Sequence, residues 1–260
     1  MAYYLLSFAG HSIPLLDADH DIGTGPAPAY LFPLPGGGSY DPKLTDQVLR
    51  PAYPVTAKGV YVAASESALA TEYQTWRSYI GVRGSLIRYS GGGASHTATA
   101  RVQEVRATRR PDYPFALQFE IEFVMVSPCW NGTHRNTLEY LDNSPKVISC
   151  PNAGDYPVSN TIITLTAAGS AITNILIGVS AQFEINWAGT LAATKSLVID
   201  CGALSVKNDG VDAYSGFSRT ANHKINEWLR MYVGYNNITV TRTGGNNSSA
   251  ITFDYYDGWA

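Results

Sequence analysis

Residues 115–126 alternate strictly. Phe115, Leu117, Phe119, Ile121, Phe123 and Met125 are apolar at every second position, with Gln118, Glu120 and Glu122 between them. Successive side chains of a strand point to opposite faces, so a period of two predicts a half-buried strand. The pattern stops at Ser127-Pro128-Cys129-Trp130, where proline has no N–H to give to a ladder. A different period occupies residues 65–80. Leu69, Tyr73, Trp76 and Ile80 are spaced by four, three and four, which lines one face of a helix. Ser65 suits the N-cap, Glu66 the first turn and Gly81 the C-terminal stop. One helix is therefore predicted over about 65–80, with its stripe packed into a core.

Between these two elements lie GVRGSLIRY (81–89), a Gly91-Gly92-Gly93 turn and TARVQEVRA (99–107), which read as a strand, a loop and a returning strand. Residues 1–60 are punctuated by Pro and Gly. Short strands are predicted there at 3–8 and 29–32, and the long loops of 20–60 read as an interaction arm. Residues 131–157 are polar and contain Pro145, Pro151 and Pro157, so a boundary is placed there, giving domains 1–147 and 148–260. The second domain reads as strands at 161–166, 172–178, 182–187 and 196–206. Two more, 237–242 and 250–255, are paired in this reading across the loop 244–247. The expected fold class is mainly β, with two β-sandwich or barrel-like domains, the first carrying one α-helix. Trp228-Leu229, followed by a Gly234-x-Asn236 turn into a strand through Ile238, predicts that Trp228, Leu229 and Ile238 pack the second core.

Composition supports strands and turns: 24 Gly, 14 Pro and 17 Tyr in 260 residues. Hydrophobic residues at 45% against 15% charged exclude a disordered chain. The net charge of −3 argues against a surface that binds phosphate all over, and no sequence-specific nucleic acid binding is expected. No apolar run approaches the roughly 18 residues that span a bilayer, so no membrane anchor is expected. The opening MAYYLLSFAG lacks the basic region and cleavage pattern of a signal peptide. Sequons at Asn131, Asn237, Asn246 and Asn247 are accordingly read as incidental. Cys129, Cys150 and Cys201 are odd in number and widely spaced, which predicts buried free thiols; the one pair worth considering is Cys129 with Cys150.

Candidate chemistry is sparse. Asp17, Asp19 and Asp21 resemble the start of a calcium loop, but Ile22 and Pro28 occupy the places where Gly and Glu belong. Asn208, Asp209 and Asp212 around Gly210 are ordinary turn chemistry. His11, His20, His96, His134 and His223 fit no metal frame, and no nucleophile elbow, P-loop or dinucleotide fingerprint appears. No catalytic residue, metal ligand or cofactor is assigned. Trp130, Trp187, Trp228 and Trp259 would stack on sugars if they lay on an exposed face, and otherwise pack cores and interfaces. A glycosidase or lyase would need two facing carboxylates, and the sequence selects no pair.

Two stretches resemble the siphophage-type distal tail proteins. The first runs from the helix with Trp76 through Gly81-x-x-Gly84-x-Leu86-x-Arg88 and the Ala100-Arg101-Val102 strand to Trp130. The second runs from SLVIDC, with Asp200, through NDGVDAY and EWLRMYVGYNNITVT, with Trp228, Leu229, Gly234, Asn236 and Ile238, to DYYDGW, closing on Trp259. The resemblance implies a virion protein assembled in the host cytoplasm, without enzymatic activity. It implies a homohexameric ring, built mainly by residues 1–145, that joins the tail tube protein to a tail-tip hub or fibre protein. The strand 115–126 can also add to a larger sheet if its edge is open. The other readings are a neighbouring minor tail or tail-tip component, a carbohydrate-binding β-sandwich and, further off, a β-sandwich glycosidase.

Overall fold

The structure is a computed structural model that describes residues 3–13, 19–21, 32–33, 39–40, 54–90, 94–111, 113–127, 129–179, 183–219 and 228–259. Two compact units divide the chain, Met1–Gly132 and Thr133–Trp259. Asp17, most of the arm at 20–60, the turn at 91–93 and Pro128 lie outside the described residues, as does the strand expected at 29–32 apart from Phe32.

The first unit contains β1 (Tyr3–Phe8), β2 (His11–Ser12), β3 (Asp19–Asp21), the small ribbon β4 (Phe32–Pro33) with β5 (Ser39–Tyr40), β6 (Pro54–Val62), α1 (Glu66–Ser78), β7 (Arg83–Ser90), β8 (Ala94–Arg109) and β9 (Ala116–Met125). Seven of these strands form one antiparallel sheet in the order β2-β1-β7-β8-β9-β6-β3. In β9 the side chains of Phe119, Ile121, Phe123 and Met125 are buried, and those of Glu120 and Glu122 are half-buried on the other face. The strand has no open edge. It pairs with β6 on one side and β8 on the other, so the open edge that addition to a larger sheet would need is absent in β9. The helix begins where Ser65 accepts from the Ala68 N–H at 3.2 Å. It ends at Tyr79, and Gly81 follows at φ +83°, a conformation that a Cβ resists.

The second unit takes most of β10 (Trp130–Tyr140), then β11 (Lys146–Asn152), β12 (Ile162–Thr166), β13 (Ile172–Val179), β14 (Phe183–Leu191), β15 (Ser196–Asp200), β16 (Ser205–Asn208), β17 (Val211–Asp212), β18 (Phe217–Arg219), β19 (Gly234–Gly244) and β20 (Ala250–Trp259). They form two sheets: β17-β16-β15-β12-β20-β10 and β11-β19-β13-β14-β18. Ile163, Leu165, Ile199, Ile251 and Phe253 from the first sheet, with Ile175, Ile177, Ile185, Ile238 and Val240 from the second, are buried. Each sheet alternates buried and accessible positions, as facing sheets require.

Three local readings change. The segment 196–206 is a hairpin, β15 with β16, because Asp200 Oδ1 accepts from the N–H groups of Gly202 and Ala203 at 2.9 and 2.8 Å and turns the chain. β19 and β20 do not pair with each other. β19 lies between β11 and β13, and β20 pairs with β12 and β10 in the other sheet. The Gly244-Gly245 loop, with φ of 77° and 73°, passes the chain between sheets. Finally, the Pro-rich stretch around residue 147 lies inside the second unit, because β11 pairs with β19 over its whole length.

Candidate functional site

In the first unit, the residues of the Gly-x-x-Gly-x-Leu-x-Arg segment meet around β7. A Cβ on Gly84 would stand 3.0 Å from the Phe8 ring, so glycine is what lets β1 close on β7. Leu86 is fully buried, and Arg88 two positions on is also buried. The Arg88 guanidinium lies 4.6 Å from the centre of the buried Trp130 ring, a cation–π contact. Arg88 Nε also lies 3.4 Å from Nδ1 of the buried His96. Trp76, buried on α1, donates its indole N–H to Glu72 at 2.9 Å. The same Glu72 oxygen lies 2.8 Å from Nε2 of His11, which ties the helix to β2. Phe8, His11, Tyr79 and Phe123 complete this aromatic cluster at centroid distances of 5.0 to 6.5 Å.

The accessible face of β6, β8 and β9 is charged. Lys58 approaches Glu120 at 3.5 Å, and Arg106 reaches Glu104 at 2.6 Å and Glu120 at 3.8 Å. The hydrogen bond from Arg106 holds the Glu104 carboxyl below its usual value. Lys58 and Arg106 are thus each matched by a carboxylate.

In the second unit the sequence-predicted residues pack and pin. Trp228, Leu229 and Ile238 are buried, and Trp228 stacks on Phe217 at 4.2 Å. Asn236 is a buried clamp: its Oδ1 accepts from the Tyr232 N–H at 2.7 Å, and its Nδ2 donates to the carbonyls of Tyr232 and Cys150 at 2.8 and 3.1 Å. Gly234 opens β19 just before it, Asp200 shapes the β15–β16 turn, and Trp259 is half-buried at the end of β20.

Sequence reasoning missed a second clamp. Asp257 is buried, takes two bonds from Arg135 at 2.8 and 3.1 Å, and accepts from the Ala153 N–H at 3.0 Å. Asn152 works alongside, its Oδ1 accepting from Gly154 and Gly258 N–H at 3.1 Å each. An aspartate in an alternating strand reads as solvent-facing. The only hint in the sequence is that Asp257 shares the parity of the apolar positions 251, 253 and 255.

The titratable groups are arranged for structure. Burial pushes the Cys150 thiol up to about 12 and raises Cys201 further, which is the opposite of an activated nucleophile. All three cysteines are free and buried. Among the described residues, no group of three or more His, Cys, Asp or Glu is disposed to hold a metal ion, and no helix is long and apolar enough to cross a membrane. Trp76, Trp130, Trp187 and Trp228 are all buried, so the described residues present no exposed tryptophan row for a sugar.

These features define a mainly β protein of two sheet-rich units with one short helix. The same fold is found in the SPP1 Dit (gp 19.1) protein, described as a paradigm of hub adsorption apparatus in Gram-positive infecting phages. The two match with a TM-score of 0.61 at 10% identity, over 98% of this chain and 99% of that one. A chain of the phage p2 baseplate, in its activated conformation with Sr, matches with a TM-score of 0.39 at 8% identity, over 99% of this chain and 92% of that one; a score that low carries no weight here. No protein-family model matches the sequence, and no curated protein matches it.

Proposed function

We propose that this chain is a structural component of a phage tail. It forms a ring at the distal end of the tail tube and joins the tube protein to a hub or fibre protein of the tail tip or baseplate. The observation that carries the reading is the end-to-end likeness to SPP1 Dit, which spans both units and nearly all of both chains. The two sequence stretches that resemble distal tail proteins point the same way and fall one in each unit. The ring has six copies and is built mainly by the first unit, with the second unit facing outward. A closed ring uses head-to-tail contacts between unlike surfaces. The protein works by binding and has no catalytic activity or cofactor. The test is the arrangement of the chain in an assembled particle, seen by electron cryomicroscopy. Six copies around an open lumen at the tube's end are expected. A monomeric tip protein, or a trimer without a lumen, overturns the reading.

A further inference from the structure

Two arginines of the first unit stand apart from its other cations. Arg83 on β7 and Arg101 on β8 face each other in register, and both are exposed. Like charges directly opposite on neighbouring strands repel and lower stability. Neither guanidinium makes an ion pair, a hydrogen bond or a ring contact among the described residues. Other cations of the unit are engaged. Lys58 meets Glu120, Arg106 meets Glu104 and Arg109 meets Glu66, while Arg77 and Arg110 lie over the rings of Tyr73 and Tyr113.

Two guanidinium forks side by side suit a pair of carboxylates. The surroundings narrow the partner further. Val124 flanks Arg101 on β9, and past a bulge in β8 Glu104 stands opposite Glu122. Acids that close turn away a polyphosphate, which binds by the number of phosphates it can neutralise. A short acidic element fits better, and the chain carries one. Residues 17–21 read Asp-Ala-Asp-His-Asp, acidic at every second position. Asp19 and Asp21 belong to β3, in register with Lys58 and Thr56 of β6. Among the described residues, the other acids of the first unit are engaged at home. Glu66, Glu104 and Glu120 have the cations named above, Glu72 has Trp76 and His11, and Glu122 lies in line with Glu104.

The basic pair and the acidic strand do not meet within one chain. β9 and β6 lie between β8 and β3, which puts Arg101 about 14 Å from β3 along the sheet at about 4.8 Å per strand. One unit therefore carries two complementary and separate surfaces, as the head-to-tail contacts of a closed ring require. We propose that Arg83 and Arg101 of one copy dock on Asp19 and Asp21 of the next copy. The proposal rests on the ring reading, in which the first unit makes the contacts between copies. Complementary charge of this kind fixes the register of an interface and suppresses wrong partners.

The test is charge reversal in the full chain during tail assembly. Arg83→Glu with Arg101→Glu, and separately Asp19→Arg with Asp21→Arg, are each expected to lower the yield of complete tails by about tenfold or more. The two reversed chains expressed together restore it, because alternate copies around the ring then meet with opposite charges. One chain carrying all four substitutions restores it as well. Reversals that leave the yield unchanged overturn the proposal, and so does failure of both combinations to restore it when the purified variants unfold at the parent's midpoint. A second measurement does not depend on those variants. Arg83→Lys with Arg101→Lys keeps the charge and supplies amines that a carbodiimide couples to a touching carboxylate. In purified tails, coupling of residue 83 or 101 to residue 19 or 21 is expected within a covalent dimer of the chain. Coupling to a different protein assigns the pair to that protein and overturns the proposal. A ring without coupling also overturns it and leaves the ring reading standing. If tails hold no ring of this chain, the ring reading fails and the same coupling on the purified chain at millimolar concentration decides the contact: a dimer joined at these residues upholds it, and its absence overturns it.

Discussion

Asp257 is a carboxylate almost fully removed from water, and it persists there because Arg135 and a backbone N–H replace the lost hydration. Arg135→Ala leaves that charge with one donor. The expected cost is about 3 kcal/mol, read from the denaturant midpoint. Arg135→Lys should recover only part of it, because an ammonium does not reproduce the two-pronged contact. Cys150 gives a pH signature of known sign. Its thiol is pushed up to about 12 in the fold, against about 8.5 in an unfolded chain. Below about pH 8.5 the thiol is neutral in both states and costs nothing. Above that, the unfolded chain ionises first, so stability falls as pH rises toward about 12. Cys201 and Tyr255 shift in the same direction and add to the loss. Urea midpoints at pH 7 and pH 10 check this: the alkaline midpoint should be lower, and Cys150→Ala should shrink the difference, with Cys201 and Tyr255 keeping the remainder. A midpoint unchanged between the two would contradict the assigned burial.

At the scale of elements, what the sequence reveals depends on range. The period of two in β9 and the spacing of Leu69, Tyr73 and Trp76 on α1 are local signals, and both elements stand where the pattern puts them. The partner of a strand is not local. Gly244-Gly245-Asn246-Asn247 has the chemistry of a hairpin turn, yet it carries the chain to another sheet, because a turn signal fixes a reversal and not which sheet receives it. The Arg135–Asp257 clamp was hidden for the same reason, since its halves are 122 positions apart. The contact of β1 with β7 at Gly84 gives a test at this scale. Gly84→Val should drive a side chain into the Phe8 ring and cost about 1–3 kcal/mol. A midpoint equal to that of the parent chain would mean that the strands tolerate the insertion. Trp228 joins Phe217, on the edge strand β18, to the segment before β19. Trp228→Ala should cost about 3–5 kcal/mol and make the second unit protease-sensitive, a change that limited proteolysis reads directly. A variant that stays resistant would show that this side chain is dispensable for the core.

For the whole molecule, the two units divide the expected work. The first unit carries a broad antiparallel sheet with ion pairs of Lys58 and Arg106 on its accessible face, and the second carries two facing sheets. Copy number is the property that the residues themselves never encode legibly. It depends on the angle between neighbours, and a change of about ten degrees at an interface converts a ring of six into one of five or seven. The prediction at this scale is that deleting residues 133–259 abolishes the link to the tail tip, while the remaining chain is still recovered at the end of the tube. Recovery of complete tails with the deleted chain would place the joining function in the first unit.

The placement of β20 has a consequence for how the protein is made. The strand lies in the interior of its sheet, between β12 and β10, although it is the last of the second unit to be synthesised. On the ribosome, β10 therefore emerges without its β20 partner and waits for more than a hundred residues before that strand arrives. Neither β10 nor β12 can be completed by a chain that stops short, and the buried side chains of Ile251, Phe253 and Tyr255 are missing from it as well. Translation errors that end the chain early thus yield a product whose second unit cannot close.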